Sequence, residues 1–116
     1  MTAPLQEPTF LILSALTGEP AHGYGITQAV EQTSGGRVKL RPGTLYGALD
    51  RLVEQGLVKA DREEVVDGRL RRYYRLTDSG AEVLEAEAQR LAGNAKAAMA
   101  GLRRRRRAGA PGTAHA

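Results

Sequence analysis

The sequence predicts a mainly α-helical fold with one small β-hairpin and a long C-terminal helix. Three observations predict it. Three short segments before Leu57 carry apolar residues at helical spacing. Asp67-Gly68 lies between two strand-like runs. Apolar residues at alternating four- and three-residue steps run from Leu84 to Leu102.

Residues 8–17, PTFLILSALT, read as the first helix. Pro8 suits an early helical position, where its missing N–H would be unpaired anyway. Phe10, Leu13 and Leu16 share a face, with Ile12 beside them, and Gly18 and Pro20 end the helix. GEPAHGYG, 18–25, reads as a loop in which His22 caps or packs. A second helix spans roughly 23–33, with Tyr24, Ile26, Ala29 and Val30 as its apolar positions, and Ser34-Gly35-Gly36 stops it. RVKL, 37–40, is a short extended connector with a basic edge. The third helix, PGTLYGALDRL onward, runs from Pro42 to about Gln55, and Gly56 is its C-terminal stop. Leu45, Leu49 and Leu52 form its buried stripe.

LVKADREEVV, 57–66, and RLRRYYRL, 69–76, form the hairpin. A two-residue Asp-Gly loop favours a type I′ turn, because both positions then need positive φ. That turn sets Val65 opposite Leu70, Glu64 opposite Arg71 and Glu63 opposite Arg72. The two opposite-charge pairs are each worth roughly 0.2–1 kcal/mol across a ladder. Thr77-Asp78-Ser79 opens the last helix, and Ser79 with Glu82 fits a capping box. The helix runs to about Arg105, with its seam at Leu84, Ala88, Leu91, Ala95, Ala98 and Leu102. From 108 on, AGAPGTAHA is rich in Gly, Ala and Pro and is expected to be disordered.

A chain of 116 residues suits one small domain with one extra element, and a hydrophobic content of 41% supports a modest core. The absence of cysteine removes disulfides, a thiolate nucleophile and cysteine-ligated metal. Ser14, Ser34, Ser79, His22 and the acids form no nucleophile motif, and no metal-ligand spacing occurs, so neither an enzyme nor a cofactor is expected. The longest apolar run, Phe10–Leu13, is far short of the about twenty residues that span a membrane. MTAPLQEP lacks a basic segment before an apolar block, so a cytoplasmic protein is expected. The net charge is +4, but Arg103–Arg107 supplies five positive charges, and without them the chain would stand at −1. The high pI is therefore a property of that run. It reads as a solvated helix end that complements the dipole, with nonspecific DNA binding as the alternative.

Three helices followed by a hairpin make a winged helix-turn-helix layout, in which the second helix of the motif enters the major groove of DNA. The third helix then carries Thr44, Gly47 and Arg51 outward, small enough for close approach and with one cation for a guanine edge or phosphate. Asp50 is expected to pair locally and Glu54 to point away. Arg37, Lys39 and Arg41 add charge just before this helix, whose N-terminal N–H groups suit a phosphate. The Tyr24 hydroxyl can hold another phosphate. In the hairpin wing, Arg69 and Arg71 are the contact candidates. The competing readings are that Arg71 and Arg72 pair with Glu64 and Glu63, that Arg51 is an ordinary solvated charge, and that Tyr24 and Tyr46 are core or half-core aromatics. Tyr74 is expected to face the core. The long helix has more apolar seam than its domain can cover, so a second copy is the expected partner, and a two-fold dimer matches a palindromic operator. A helix folded back on its own domain is the alternative for the seam. A winged module that binds protein rather than DNA is the alternative for the whole.

HGYGI (22–26), PGTLYGALDRL (42–52), QGLV (55–58) and DGRLRRYYRLTDSG (67–80) together resemble the PadR family of bacterial transcriptional regulators, over about residues 5–85. The resemblance implies a winged helix-turn-helix dimer, usually a repressor, with a C-terminal dimerisation helix. Here the domains would be 1–77 for DNA binding, 78–107 for dimerisation and 108–116 as a tail. By position, it places Tyr24, Thr44, Tyr46 and Arg69 in DNA-facing elements. It also implies a possible phenolic or aromatic effector near the dimer interface. This chain lacks the tryptophan that some members place in their ligand pore, and it carries Arg41 where relatives often have a small cap residue.

Overall fold

The computed structural model describes residues 4–109. The elements are α1 (Glu7–Ala15), β1 (Ala21–His22), α2 (Gly23–Thr33), α3 (Pro42–Glu54), β2 (Val58–Val66), β3 (Arg69–Leu76) and α4 (Asp78–Ala108). The chain forms two compact units, divided between Glu85 and Ala86.

The core of the first unit joins α1, α2, α3 and the sheet. Leu11, Ile12, Leu13 and Leu16 meet Ile26 and Val30, then Leu45, Ala48, Leu49 and Leu52, with Val58 and Tyr74 closing the sheet side. Tyr74 faces this core, as the sequence predicts. Burial pushes its phenol above the ordinary value of 10.0, against a bond from Arg72 that favours ionisation.

Helix α1 stops at Ala15, earlier than the expected 17. The Leu16 and Thr17 N–H groups bond to Leu13 and Ser14, and the Thr17 hydroxyl donates to the same Ser14 carbonyl at 2.8 Å. These tighter bonds end the α-helical ladder.

The hairpin has a third strand. Residues 21–22, expected in a loop, pair antiparallel with β3, so the strand order is β1-β3-β2. The turn register is as the sequence predicts, with Val65 opposite Leu70, Glu64 opposite Arg71 and Glu63 opposite Arg72. Asp67 and Gly68 hold φ of 52° and 76°, the conformation a type I′ turn requires. A bulge then inserts Asp61 between Ala60 and Arg62. Its effect follows from the period-two alternation. Without the extra residue, Asp61 and Lys59 would share the core face with Glu63 and Val65. With it, Val58 is buried on the side of Leu76 and Tyr74 and Lys59 is exposed, while Asp61 lines the groove between α3 and the hairpin.

Helix α4 begins at Asp78 and is capped by Thr77, not by the Ser79–Glu82 box. The Gly80 N–H donates to Thr77 Oγ1 at 2.9 Å, and the Thr77 hydroxyl donates to the Gly56 carbonyl at 2.7 Å. The Thr77 N–H also bonds to the Leu57 carbonyl at 3.1 Å. These bonds join the start of α4 to the end of α3, and that long-range anchor selects the cap. The helix continues to Ala108, past the expected Arg105, for 31 residues or about 46 Å. The expected disordered tail lies outside the described residues apart from Ala108 and Gly109. Along the seam, Leu84 packs against the core of its own unit. Ala88, Leu91, Ala95, Ala98 and Leu102 are exposed in the single chain.

Candidate nucleic-acid interface

The surface is built from α2, the turn after it, α3 and the hairpin. His22 starts α2 by capping it, as the Gly25 N–H donates to His22 Nδ1 at 3.3 Å. The same ring stands edge-on to Tyr73 at 5.3 Å, which ties the helix start to the sheet. Next to it, Gly23 lets α2 and α3 approach closely. A Cβ there would lie 2.3 Å from the Tyr46 hydroxyl oxygen. Tyr46 is therefore half-packed across Gly23 while remaining 41% exposed. Tyr24 is 67% exposed, which removes the core reading for it. Its hydroxyl accepts a bond from Gln28 Nε2 at 3.1 Å.

Gly35 and Gly36, both at positive φ, turn the chain out of α2. The Val38 N–H donates to Ser34 Oγ at 2.9 Å and holds the connector to the end of α2. Arg37 leaves this connector toward α1 and forms a forked ion pair with Glu7, one arm being Nη1 to Oε1 at 2.8 Å. The pair holds the Glu7 carboxyl below its ordinary value. The Arg37 charge is thus largely committed. Lys39 and Arg41 are exposed and make no ion pair among the described residues.

In α3, Arg41 occupies the cap position without a side-chain cap bond, and Pro42 supplies the first turn. Leu45, Ala48, Leu49 and Leu52 are buried. At 3.6 residues per turn, the opposite ridge is Gly43, Gly47, Asp50 and Glu54. Thr44 and Arg51 flank it on one side, Tyr46 and Val53 on the other. Arg51 lies back along the ridge, its Nη1 3.7 Å from where a Cβ on Gly47 would stand. It is exposed and forms no ion pair among the described residues. Glu54 lies on the same outer ridge, at its C-terminal end, rather than pointing away from it. Asp50 forms no salt bridge among the described residues, contrary to the expected local pairing. It lines a groove with Val53, Arg62, Arg72 and Tyr74, between α3 and the hairpin.

The arginines of the hairpin fall into two groups. Arg72 meets Glu63 at 3.1 Å, as the register predicts. Arg75 lies 3.7 Å from Asp61, and Arg62 contacts Asp61, Glu64 and the face of Tyr73. Arg71, however, is not paired with Glu64. That carboxylate instead accepts the Tyr73 hydroxyl at 2.9 Å. Arg69 and Arg71 thus remain without an ion pair among the described residues. Beside them at the tip, Val65 and Leu70 face each other, 73% and 57% exposed. On this unit's basic surface Lys39, Arg41, Arg51, Arg69 and Arg71 are therefore uncommitted, as is Lys59 further down the hairpin in β2. The sequence did not separate them from the committed ones, and it did not single out Gly43, the groove place of Asp50 or the exposure of the Val65–Leu70 pair. The steps of four, three and four residues from Gly43 to Glu54 were the available signal for the ridge.

Among the described residues, no group of three or more acids and histidines is placed to hold a metal. No helix among them is long and apolar enough to cross a membrane.

Comparison with known proteins places this geometry. The sequence profile of the Transcriptional regulator PadR-like family matches residues 12–86. An uncharacterized 37.1 kDa protein in transposon TN4556 of Streptomyces fradiae is 49% identical over 82 residues, covering 71% of this chain but only 22% of that protein. The transcriptional regulator Rv3488 of Mycobacterium tuberculosis is 38% identical over 80 residues, covering 69% of this chain and 71% of that protein. A PadR family transcription regulator from Clostridium difficile R20291 superposes with a TM-score of 0.69 at 28% identity, covering 84% of this chain and 99% of its own. A Bacillus subtilis PadR crystallised with operator DNA shares the fold, with a TM-score of 0.61 at 24% identity, over 70% of this chain and 47% of its own. The fold is that of the winged helix-turn-helix regulators, and the chain belongs to the PadR-like family of transcriptional regulators.

Proposed function

We propose that the chain is a homodimeric, sequence-specific repressor of the cytoplasm that binds a palindromic operator in double-stranded DNA. The observation that carries this reading is the outer surface of α3. Gly43 and Gly47 remove bulk, and Thr44 and Arg51, both exposed, supply contacts. Arg51 reads a base edge or phosphate, and Thr44, Gly47 and Tyr46 line the approach. Lys39, Arg41, Arg69, Arg71 and the Tyr24 hydroxyl hold the backbone, and Arg37 contributes least because Glu7 already neutralises it. The operator complex of the Bacillus subtilis protein supports the same use of the fold here.

Residues 1–77 carry DNA binding and 78–107 carry dimerisation in this reading. Leu91 and Leu102, 40% and 46% exposed, with Ala88, Ala95 and Ala98 between them, suit close packing against a second copy. Leu84 joins them from the edge of the core. An aromatic or phenolic effector bound near that junction would change the separation of the two α3 helices and release the DNA.

Fluorescence anisotropy across a salt series tests the reading, with DNA from the gene's own upstream region against unrelated DNA. Selective binding that weakens steeply with salt is the expected result. Equal, weak binding to both would favour a module that binds protein.

A further inference from the structure

Helix α4 separates its charges along its length. Its four acids, Asp78, Glu82, Glu85 and Glu87, lie in the first ten residues. Beyond Glu87 the helix carries only cations, namely Arg90, Lys96 and Arg103–Arg107. Glu87 is already held by Arg90 at 2.6 Å. All five residues of the arginine run are exposed and form no ion pair among the described residues.

The helix dipole does not account for this density. Its influence is confined to about the last turn. Arg103 and Arg104 lie before that turn, since the basic residues in it are Arg105, Arg106 and Arg107. Within the run, 103 with 106, 103 with 107 and 104 with 107 are like-charged neighbours that oppose the helix. A run of this density is complementary to a dense array of anions.

We propose that Arg103–Arg107 form a second, sequence-independent contact to the phosphates of double-stranded DNA. The proposal rests on DNA being the partner of the regulator. Consecutive helical residues present one charge per about 1.5 Å of axis, and the two or three on one side of the helix face a given duplex. Duplex DNA presents one per roughly 1.7 Å. The residue type fits as well, because the guanidinium fork binds phosphate through two parallel N–H groups. A lipid surface fits less well. Five consecutive positions encircle the helix and leave no apolar side at that end to enter a bilayer. The acids of a second copy are too few. Asp78, Glu82 and Glu85 are the acids of α4 outside the Glu87–Arg90 pair, against five arginines.

The test uses the full chain and a variant with glutamine at all five positions, Arg103→Gln to Arg107→Gln. Glutamine is nearly as good a helix former as arginine, and circular dichroism checks that α4 persists. Affinity for an unrelated duplex is measured against salt. The slope of log affinity on log salt is expected to become shallower by about 2 to 3 per bound chain. Affinity at low salt should fall at least tenfold, while preference for upstream over unrelated DNA is kept. A five-lysine variant should retain most of the slope. An unchanged slope overturns the proposal. So does a variant that loses its dimer by sedimentation yet keeps its slope, which would assign the arginines to the second copy. Because the slope is read on unrelated DNA, a parent chain with no preference for upstream DNA would sink the repressor reading without deciding this one.

Discussion

Replacing Gly80 by alanine should unfold the junction between α3 and α4 at a lower temperature. Gly80 is buried in the first turn of α4, and a Cβ there would stand 2.1 Å from the Leu57 carbonyl oxygen and 2.8 Å from Leu76 Cδ1. Leu76 can rotate away, but the backbone oxygen cannot. To reach ordinary contact at 3.4 Å, the two segments must separate by 1.3 Å. That oxygen accepts the Thr77 N–H at 3.1 Å, and the neighbouring Gly56 carbonyl accepts the Thr77 hydroxyl at 2.7 Å. Overpacking plus one weakened, half-buried hydrogen bond comes to roughly 2–4 kcal/mol. For a chain of this size the loss is on the order of 10 °C in Tm. Gly93→Ala, in the same helix but with open space around it, should instead favour the helix by up to about 1 kcal/mol. Thermal unfolding by circular dichroism compares the two. A Gly80→Ala protein melting within about 2 °C of the parent would refute the close-packing argument.

Other outcomes follow from the surface. Arg51→Ala should relax base preference, whereas Arg69→Ala should weaken all duplexes alike; equal effects on both properties would reverse the roles given to α3 and the wing. Arg37→Ala should reduce DNA affinity less than Lys39→Ala or Arg41→Ala, because Glu7 already holds its charge; a competition titration ranks the three. Tyr74 has its phenol raised above 10.0 in the folded chain, so the unfolded chain loses this proton first. Its contribution to stability is complete below pH 10.0, falls as the pH rises through the folded value, and should be absent in Tyr74→Phe. Urea midpoints measured from pH 8 upward would show a flatter decline in that variant.

Much of this architecture is legible in the residues. Asp67-Gly68 specifies its turn through backbone conformation alone, and the pairing of 63–65 with 70–72 follows from it. The buried face of α3 is visible in Leu45, Leu49 and Leu52 because a helix repeats every 3.6 residues. What stayed hidden depends on contacts between distant segments. A two-residue strand at Ala21–His22 has no periodicity of its own; β3 creates it. Thr77 rather than Ser79 caps α4 because the end of α3 holds its hydroxyl and N–H. The shift of phase between Val65 and Val58 implied the bulge at Asp61, but the fixed turn register masked it. At the interface, sequence identified the cations and not their commitments. Glu7 captures Arg37 from 30 residues away, and Tyr73 takes the carboxylate that would otherwise meet Arg71.

The central claim is that α3 reads a specific sequence as part of a two-fold dimer. The most direct test is selection of bound duplexes from a random pool by the full chain, followed by sequencing. The account predicts an inverted repeat whose half-sites lie about one helical turn, roughly 10 base pairs, apart. It also predicts that Arg51→Ala blurs positions within each half-site while leaving the spacing intact. A pool that enriches no motif, or a single motif without two-fold symmetry, would contradict it.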